Sequence, residues 1–384
     1  MYIHRAIEPL LKEAISQFPA VLVTGPRQAG KSTLLQNTLK NYNYVTLDDP
    51  LLRKIANDDP ELFLSSHPVP LIIDEIQYAP SLFSYLKLAI DAKRCENGRF
   101  VLTGSQTFQV MKGVSESLAG RIAILQLYPF NWTEINVPAL DTQACTKQIV
   151  QGFYPQFFSG SIINWNLWFG SYISTYLERD VRNIKAITDL GRFQTFISLL
   201  AARAGKIFNI AEISKECGIS QPTAKDWISI LESTYIIFLL KPFHNNLSKR
   251  LLKSPKIYFV DTGLLCFLLG IDNEERLLKS SEGGHIFENM VIADVLKKTA
   301  YMAKRTELFF YRTASGVEVD LIIKEKDTLS AFEIKFAKSL SREMAKSLQI
   351  FLKEHLVQKA SVLSLQEKTI MLAENITAEH WSSL

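Results

Sequence analysis

The octapeptide Gly25-Pro-Arg-Gln-Ala-Gly30-Lys31-Ser32 constrains this chain more than any other stretch. A short β-branched run, Ala20–Thr24, precedes it. A helical pattern from Thr33 to Lys40 follows, with Leu34, Leu35 and Leu39 on one side. Strand, GxxxxGK(S/T), helix is the order a phosphate-cradling loop needs. Glycines let backbone N–H groups curl around phosphates, and the helix N-terminus adds a favourable dipole. On this reading Gly25, Pro26, Arg27, Gln28, Ala29, Gly30, Lys31, Ser32 and Thr33 line a nucleotide. Lys31 reaches the β and γ phosphates and the Ser32 hydroxyl ligates Mg²⁺.

Such a loop predicts a second strand ending in an acid that holds the metal. Pro70-Leu-Ile-Ile-Asp74-Glu75 supplies it. Asp74 is the expected Mg²⁺ partner, and Glu75 is placed to polarise an attacking water. A third strand, Arg99–Gly104, ends in polar residues. Ser105 is the first choice for a residue sensing the γ-phosphate, with Thr103 or Gln106 as alternatives. Arg121 opens a fourth apolar run (Ile124–Leu127) and is expected near the nucleotide of its own or a neighbouring chain, with a surface arginine at a turn as the alternative. The catalytic set read from these motifs is therefore Glu75, Lys31, Ser105 and Arg121.

Gly25-Pro-Arg-Gln-Ala-Gly-Lys-Ser, Leu47-Asp-Asp-Pro50, Ile72-Ile-Asp-Glu-Ile-Gln77, Leu102-Thr-Gly-Ser105 and Leu118-Ala-Gly-Arg121 occur in this order. Together they resemble the prokaryotic AAA-type ATPases that carry a C-terminal domain of uncharacterised function. The resemblance covers nearly the whole chain. It implies an α/β fold: a P-loop NTPase core with a parallel sheet and helices on both faces, a helical, winged-helix-like middle, and an α/β nuclease-like C-terminal domain. The expected boundaries are 1–140, 141–270 and 271–384.

In the middle, Trp168 to Asn183 reads as a helix. Tyr176-Leu-Glu-Arg-Asp-Val181 resembles the family's linker motif, and Arg179 or Arg182 is a candidate arginine finger onto a neighbour, with a salt-bridged helix face as the alternative. Asn209-Ile-Ala-Glu212 reads as a capping box opening a helix. Gly218 makes a turn, and Ser220 opens a second helix with Trp227, Ile230 and Leu231 inward. This is a helix-turn-helix pattern. Ile236–Leu240 and Lys249–Lys256 are expected to form a wing, with Lys225, Lys249, Arg250, Lys253 and Lys256 as candidate phosphate contacts. The alternative is a packing module that touches no nucleic acid.

In the last third, a helix from His285 to Leu296 carries Glu288, one strand carries Asp320, and the next carries Glu333 and Lys335. Side chains alternate along a strand, so Glu333 and Lys335 share a face. Glu288, Asp320 and Glu333 make a candidate Mg²⁺ cluster, with Lys335 steering a water. The order resembles the PD-(D/E)xK nucleases, although Val319 stands where that motif has proline.

Composition narrows the rest. The 43 Lys and Arg against 39 Asp and Glu give a formal charge of +4, which permits a nucleic-acid partner without arguing for one. Cys95, Cys145, Cys217 and Cys266 lie too far apart for a zinc clasp, and a reducing, cytoplasmic setting is expected. Glu8 and Glu13 stand where a signal peptide needs an apolar run, and no stretch is long enough to span a membrane. The expected cofactors are ATP and Mg²⁺. The expected partners are DNA or RNA and a second copy or another protein. The reading is an AAA-type ATPase coupling ATP state to a DNA-binding or regulatory C-terminal region; alternatives are an ATP-gated nuclease and a nucleotide switch with little turnover.

Overall fold

A computed structural model describes residues 2–105, 110–111, 113–160, 164–176, 189–244 and 254–384. Gln106, the linker motif beyond Tyr176 with Arg179 and Arg182, and Lys249, Arg250 and Lys253 lie outside the described residues.

The N-terminal part holds strands β1 (Ala20–Thr24), β2 (Asn43–Thr46), β3 (Leu71–Asp74), β4 (Phe100–Gly104) and β5 (Ile122–Gln126). Helices α1 (Glu8–Gln17), α2 (Lys31–Thr38), α3 (Pro50–Asp58), α4 (Pro60–Ser66) and α5 (Leu82–Ala92) surround them. All five strands are parallel, in the order β2-β3-β4-β1-β5. Every residue of β1 is buried, as a strand covered on both faces requires. Two apolar clusters, one holding Leu22, Leu71 and Leu102 and the other Val21, Val23 and Val101, fill the two faces. Because β4 lies between β1 and β3, the polar end of β4 is wedged between the phosphate loop and Asp74. Ligands of such sheets bind beyond the strands' carboxyl ends, where all these groups meet.

Among the described residues the further α-helices are α6 (Thr142–Gln151), α7 (Trp165–Tyr176), α8 (Leu190–Ala201), α9 (Ile210–Cys217), α10 (Gln221–Ser233), α11 (Thr262–Leu268), α12 (Glu274–Lys279), α13 (Gly283–Ala300) and α14 (Lys346–Glu354). Asn209 caps α9 by accepting from the Ala211 and Glu212 N–H groups. Glu212 does not fold back to complete a box; it faces Arg203 at 3.5 Å instead. Gly218 turns the chain at φ 62°, and Ser220 caps α10. On α10 Trp227 packs edge-on against Phe193 and Phe196.

An eight-stranded mixed sheet follows, in the order β12-β13-β11-β10-β9-β8-β6-β7. Its strands are β6 (Ile237–Pro242), β7 (Lys256–Phe259), β8 (Thr306–Arg312), β9 (Glu318–Glu325), β10 (Thr328–Ile334), β11 (Lys359–Ser364), β12 (Ile370–Ala373) and β13 (Ile376–His380). The β6–β7 hairpin belongs to the middle segment in sequence, yet β6 pairs with β8 through Lys241 and Phe309. One apolar cluster runs from Phe130 through Phe193 and Trp227 to Phe332 and Trp381. The middle and C-terminal segments therefore share a sheet and a core.

Candidate active site: a phosphate loop facing an aromatic wall

Gly25 and Gly30 shape the phosphate loop. Gly25 sits at φ 152°, and a Cβ there would meet the Leu127 carbonyl oxygen at 2.0 Å. Gly30 sits at φ 91° and starts α2 in a left-handed conformation that favours glycine. Lys31 is buried, and its Nζ donates to the carbonyl oxygens of Gly25 at 3.0 Å and Pro26 at 2.9 Å. Both acceptors belong to the loop itself, so the ammonium lies within the cradle.

The Ser32 hydroxyl donates to Asp74 Oδ2 at 2.8 Å, and the Tyr44 hydroxyl donates to the same oxygen at 2.6 Å. Burial and the Asp74 carboxylate together push the Tyr44 phenol upward, so it stays a donor. Thr103 Oγ1 donates to Asp74 Oδ1 and accepts the Glu75 N–H at 3.0 Å. Glu75 itself adopts φ 57°. Its Oε2 accepts from Ser105 Oγ at 3.2 Å and from Gln77 Nε2. The structure thus brings Lys31, Ser32, Asp74, Glu75 and Ser105 to one end of the sheet.

Arg121 is elsewhere. It precedes β5 at the amino end of the strands, opposite the phosphate loop, where its carbonyl accepts the Ala20 N–H. Its guanidinium binds both carboxylate oxygens of Asp91, at 2.8 and 3.0 Å. The expected contact with its own chain's nucleotide is corrected, because the whole length of β1 separates the two.

Arg5, Tyr44 and Gln77 were not anticipated from sequence. Arg5 donates to the Ala29 carbonyl at 2.9 Å, to the Tyr128 carbonyl at 2.6 Å and to Glu134 at 3.0 Å, and lies 4.6 Å from the Phe130 ring centre. Gln77 was readable as part of the Ile76-Gln77 continuation of the acidic motif. Nothing local marks Arg5.

A cavity of about 660 Å³ opens over the loop. Lys31, Ser32 and Glu75 line its polar side, and Phe130, Phe158, Tyr172 and Tyr176 line the other. Tyr172 stacks on Trp168 and Tyr176 along α7, with ring planes 11° and 6° apart. Anion-binding backbone beside an aromatic wall suits a nucleotide.

A second cluster forms in the C-terminal sheet. Glu288, Asp320 and Glu333 are buried within it. Lys335 Nζ donates to Glu333 Oε2 at 2.7 Å and approaches Asp320 Oδ2 at 3.5 Å, while the Ile334 N–H donates to Asp320 Oδ2 at 2.8 Å. Burial works against ionised Asp320, but Lys335, Lys256 and the Ile334 N–H outweigh it and hold its carboxyl low. Burial, then the Asp320 carboxylate, pushes Glu333 well above the usual carboxylate range. Lys256 is here too, so its expected contact with a nucleic-acid phosphate is corrected: it is 2 % exposed and bonded to Glu288 at 3.1 Å and Glu318 at 2.5 Å. Among the described residues no three His, Cys, Asp or Glu side chains form a group able to hold a metal ion. Among the same residues no helix is long and apolar enough to cross a membrane.

Residues 17–136 match the AAA domain family. Residues 142–275 and 283–383 match two domains of unknown function, DUF8612 and DUF4143. An uncharacterized protein of Mycobacterium tuberculosis is 32% identical over 343 residues, covering 88% of this chain and 75% of the relative. A protein of Mycobacterium bovis matches with the same 32% identity and the same coverage. A solved Walker-type ATPase of Pyrococcus abyssi is 15% identical, with a TM-score of 0.45, covering 70% of this chain and 96% of that one.

Proposed function

The chain belongs to the family of these two mycobacterial proteins and has an AAA-type P-loop ATPase fold, and from that premise we propose that it binds ATP with Mg²⁺, hydrolyses it, and passes the nucleotide state to a DNA-binding or regulatory C-terminal region. The observation that carries this reading is the junction of Ser32, Asp74 and Thr103 beside Glu75.

The residues suit the expected ligands. Ser32 and Asp74 offer hard oxygen donors, which Mg²⁺ prefers. When bound, the ion neutralises charge on the phosphates. The loop N–H groups and Lys31 hold the phosphates, and Lys31 exchanges two carbonyl acceptors for phosphate oxygens. Glu75 orients and polarises the water, with Ser105 Oγ on its carboxylate to report the γ-phosphate. Phe130, Phe158, Tyr172 and Tyr176 supply stacking surface for the base.

The same wall supports the coupling. Helix α13 reaches it through Lys297, whose Nζ donates to the Phe130 carbonyl at 3.0 Å; beside it Asp294 accepts the Trp132 N–H at 2.6 Å, and the hydroxyl of Tyr301, just past the helix, accepts the Tyr128 N–H at 3.0 Å. Any shift of Phe130 on nucleotide binding therefore acts on a helix that also carries Glu288. Helix α10 exposes Gln221, Lys225 and Ser229, a polar surface of the kind that contacts DNA in helix-turn-helix proteins. A second copy of the chain or another protein is the further partner class.

The test is nucleotide binding by Lys31→Ala and phosphate release by Glu75→Gln. Lys31→Ala is expected to lose binding, and Glu75→Gln to keep binding while losing release. A Lys31→Ala variant that binds ATP as the parent does overturns the reading. Binding without release above background in the parent favours the nucleotide switch. Anisotropy of a labelled DNA duplex with ATP and with ADP tests the coupling.

A further inference from the structure

The resemblance to PD-(D/E)xK nucleases implies a divalent cation among Glu288, Asp320 and Glu333. The donor set does not fit one. We propose that the Lys256 ammonium is the resident cation of this cluster, standing where a divalent metal would otherwise sit, so that the cluster takes no Mg²⁺.

The placement of Nζ carries the inference. It lies 3.1 Å from Glu288 Oε1, 2.5 Å from Glu318 Oε1 and 4.0 Å from Asp320 Oδ1, at the point where carboxylates from α13 and β9 converge. Several of the other carboxylate oxygens already hold donors. Glu288 Oε1 also takes the Tyr258 hydroxyl at 2.5 Å. Glu318 Oε2 takes Arg312 at 3.1 Å. Asp320 Oδ2 takes the Ile334 N–H, and Glu333 Oε2 takes Lys335. Glu333 Oε1 is buried without a hydrogen-bond partner. Among the described residues Glu288 Oε2 and Asp320 Oδ1 have only His285 at 3.8 Å and Lys256 at 4.0 Å beside them, so what keeps a divalent ion out is the ammonium at the point of convergence.

Formal charge points the same way. Because burial and Asp320 hold the Glu333 carboxyl protonated, three carboxylates (Glu288, Glu318, Asp320) face three fixed cations (Lys256, Lys335, Arg312), and the set already balances. A divalent ion added to this set leaves an excess of positive charge in a buried site, which is costly. Without Lys256 the point where Glu288, Glu318 and Asp320 converge is left open to a divalent ion. Lys256 and Tyr258 lie on β7, outside the C-terminal match at 283–383, so the middle segment supplies the cation. The cluster then works as an ion-pair lock between the middle hairpin and the C-terminal sheet.

The inference goes beyond the ATPase reading, and its test uses no nucleotide. Full-length protein carrying Asp74→Asn, which removes the N-terminal metal ligand, is titrated with Mn²⁺ and free ion is read by electron paramagnetic resonance. No Mn²⁺ is expected to bind in a manner that depends on Asp320. Adding Lys256→Met is expected to create one Mn²⁺ site per chain, abolished again by Asp320→Asn. Mn²⁺ binding with Lys256 intact that Asp320→Asn removes overturns the proposal. So does a folded Lys256→Met variant that binds none. If Lys256→Met does not fold, the Asp320→Asn comparison with Lys256 in place decides alone.

Discussion

The Arg5 guanidinium donates to the Ala29 carbonyl oxygen at 2.9 Å, holding the phosphate loop from a residue 24 positions upstream. A second N–H holds the Tyr128 carbonyl at 2.6 Å, and Nε meets Glu134 at 3.0 Å. The planar fork of arginine ties the loop, the end of β5 and the start of the next segment in one plane. Lysine has no such fork.

Replacing Arg5 with Ala strands Glu134 as a buried carboxylate without its ion pair, since both side chains are nearly inaccessible. Losing one partner of a buried pair costs about 3 kcal/mol or more. Thermal unfolding is expected to show that loss, and ATP affinity to fall because the loop is no longer held. Arg5→Lys is expected to recover part of the stability and little of the affinity. Equal affinity in Arg5→Ala and the parent contradicts this role.

Glu75 is oriented by Gln77 and Ser105. Gln77→Ala is expected to lower phosphate release on the order of tenfold while ATP binding stays unchanged, as expected for a misoriented general base. Gln77→Glu places a like charge beside Glu75 and removes its amide donor, and is expected to lower phosphate release at least as much as Gln77→Ala. Release equal to the parent's in both variants argues against direct contact in the working state.

A Cβ at position 25 has no room, because the Leu127 carbonyl is 2.0 Å away. Gly25→Ala must push β1 and β5 apart at the loop's root. Loss of ATP binding together with a destabilisation of about 2–3 kcal/mol is expected in calorimetry. Normal melting with normal binding rules this out.

Glu379 accepts hydrogen bonds from Lys359, Ser361, Thr377 and Ser383. Burial alone would raise its pKa, but these donors, Lys359 first, lower it from the ordinary 4.5 to about 2. A carboxyl held low in the folded state stabilises above its unfolded pKa, and the gain is lost as pH falls through the folded value. Glu379→Gln is therefore expected to cost about 1–2 kcal/mol at pH 7, partly screened by solvent. The gap between variant and parent should narrow from about pH 4.5 toward pH 2. A gap independent of pH means the carboxylate charge is not what stabilises.

The readable parts of this molecule are those whose chemistry lies within a few consecutive residues. Gly25 to Ser32, Asp74-Glu75 and Thr103–Ser105 each end a buried strand, and parallel strands present their ends on one edge. The Asn209 cap and the Gly218 turn are local in the same sense. Arg121 takes the place of its alternative, a surface arginine paired with Asp91, because a residue that opens a parallel strand lies at the end away from the phosphate loop. Lys256 was misjudged because a lysine near other basic residues reads as a surface cation.

By itself the sequence determined the phosphate loop, its acids and the parallel α/β core, since backbone curvature and strand burial depend on neighbours along the chain. Only the tertiary structure decided that β4 enters between β1 and β3, that Arg5 clamps the loop, and that Lys256 fills the carboxylate cluster. The partners of Arg5 at Tyr128 and of Lys256 at Glu288 lie 123 and 32 residues away. A charge buried at that separation is specified by where the fold puts its counter-charge, and no local pattern records that.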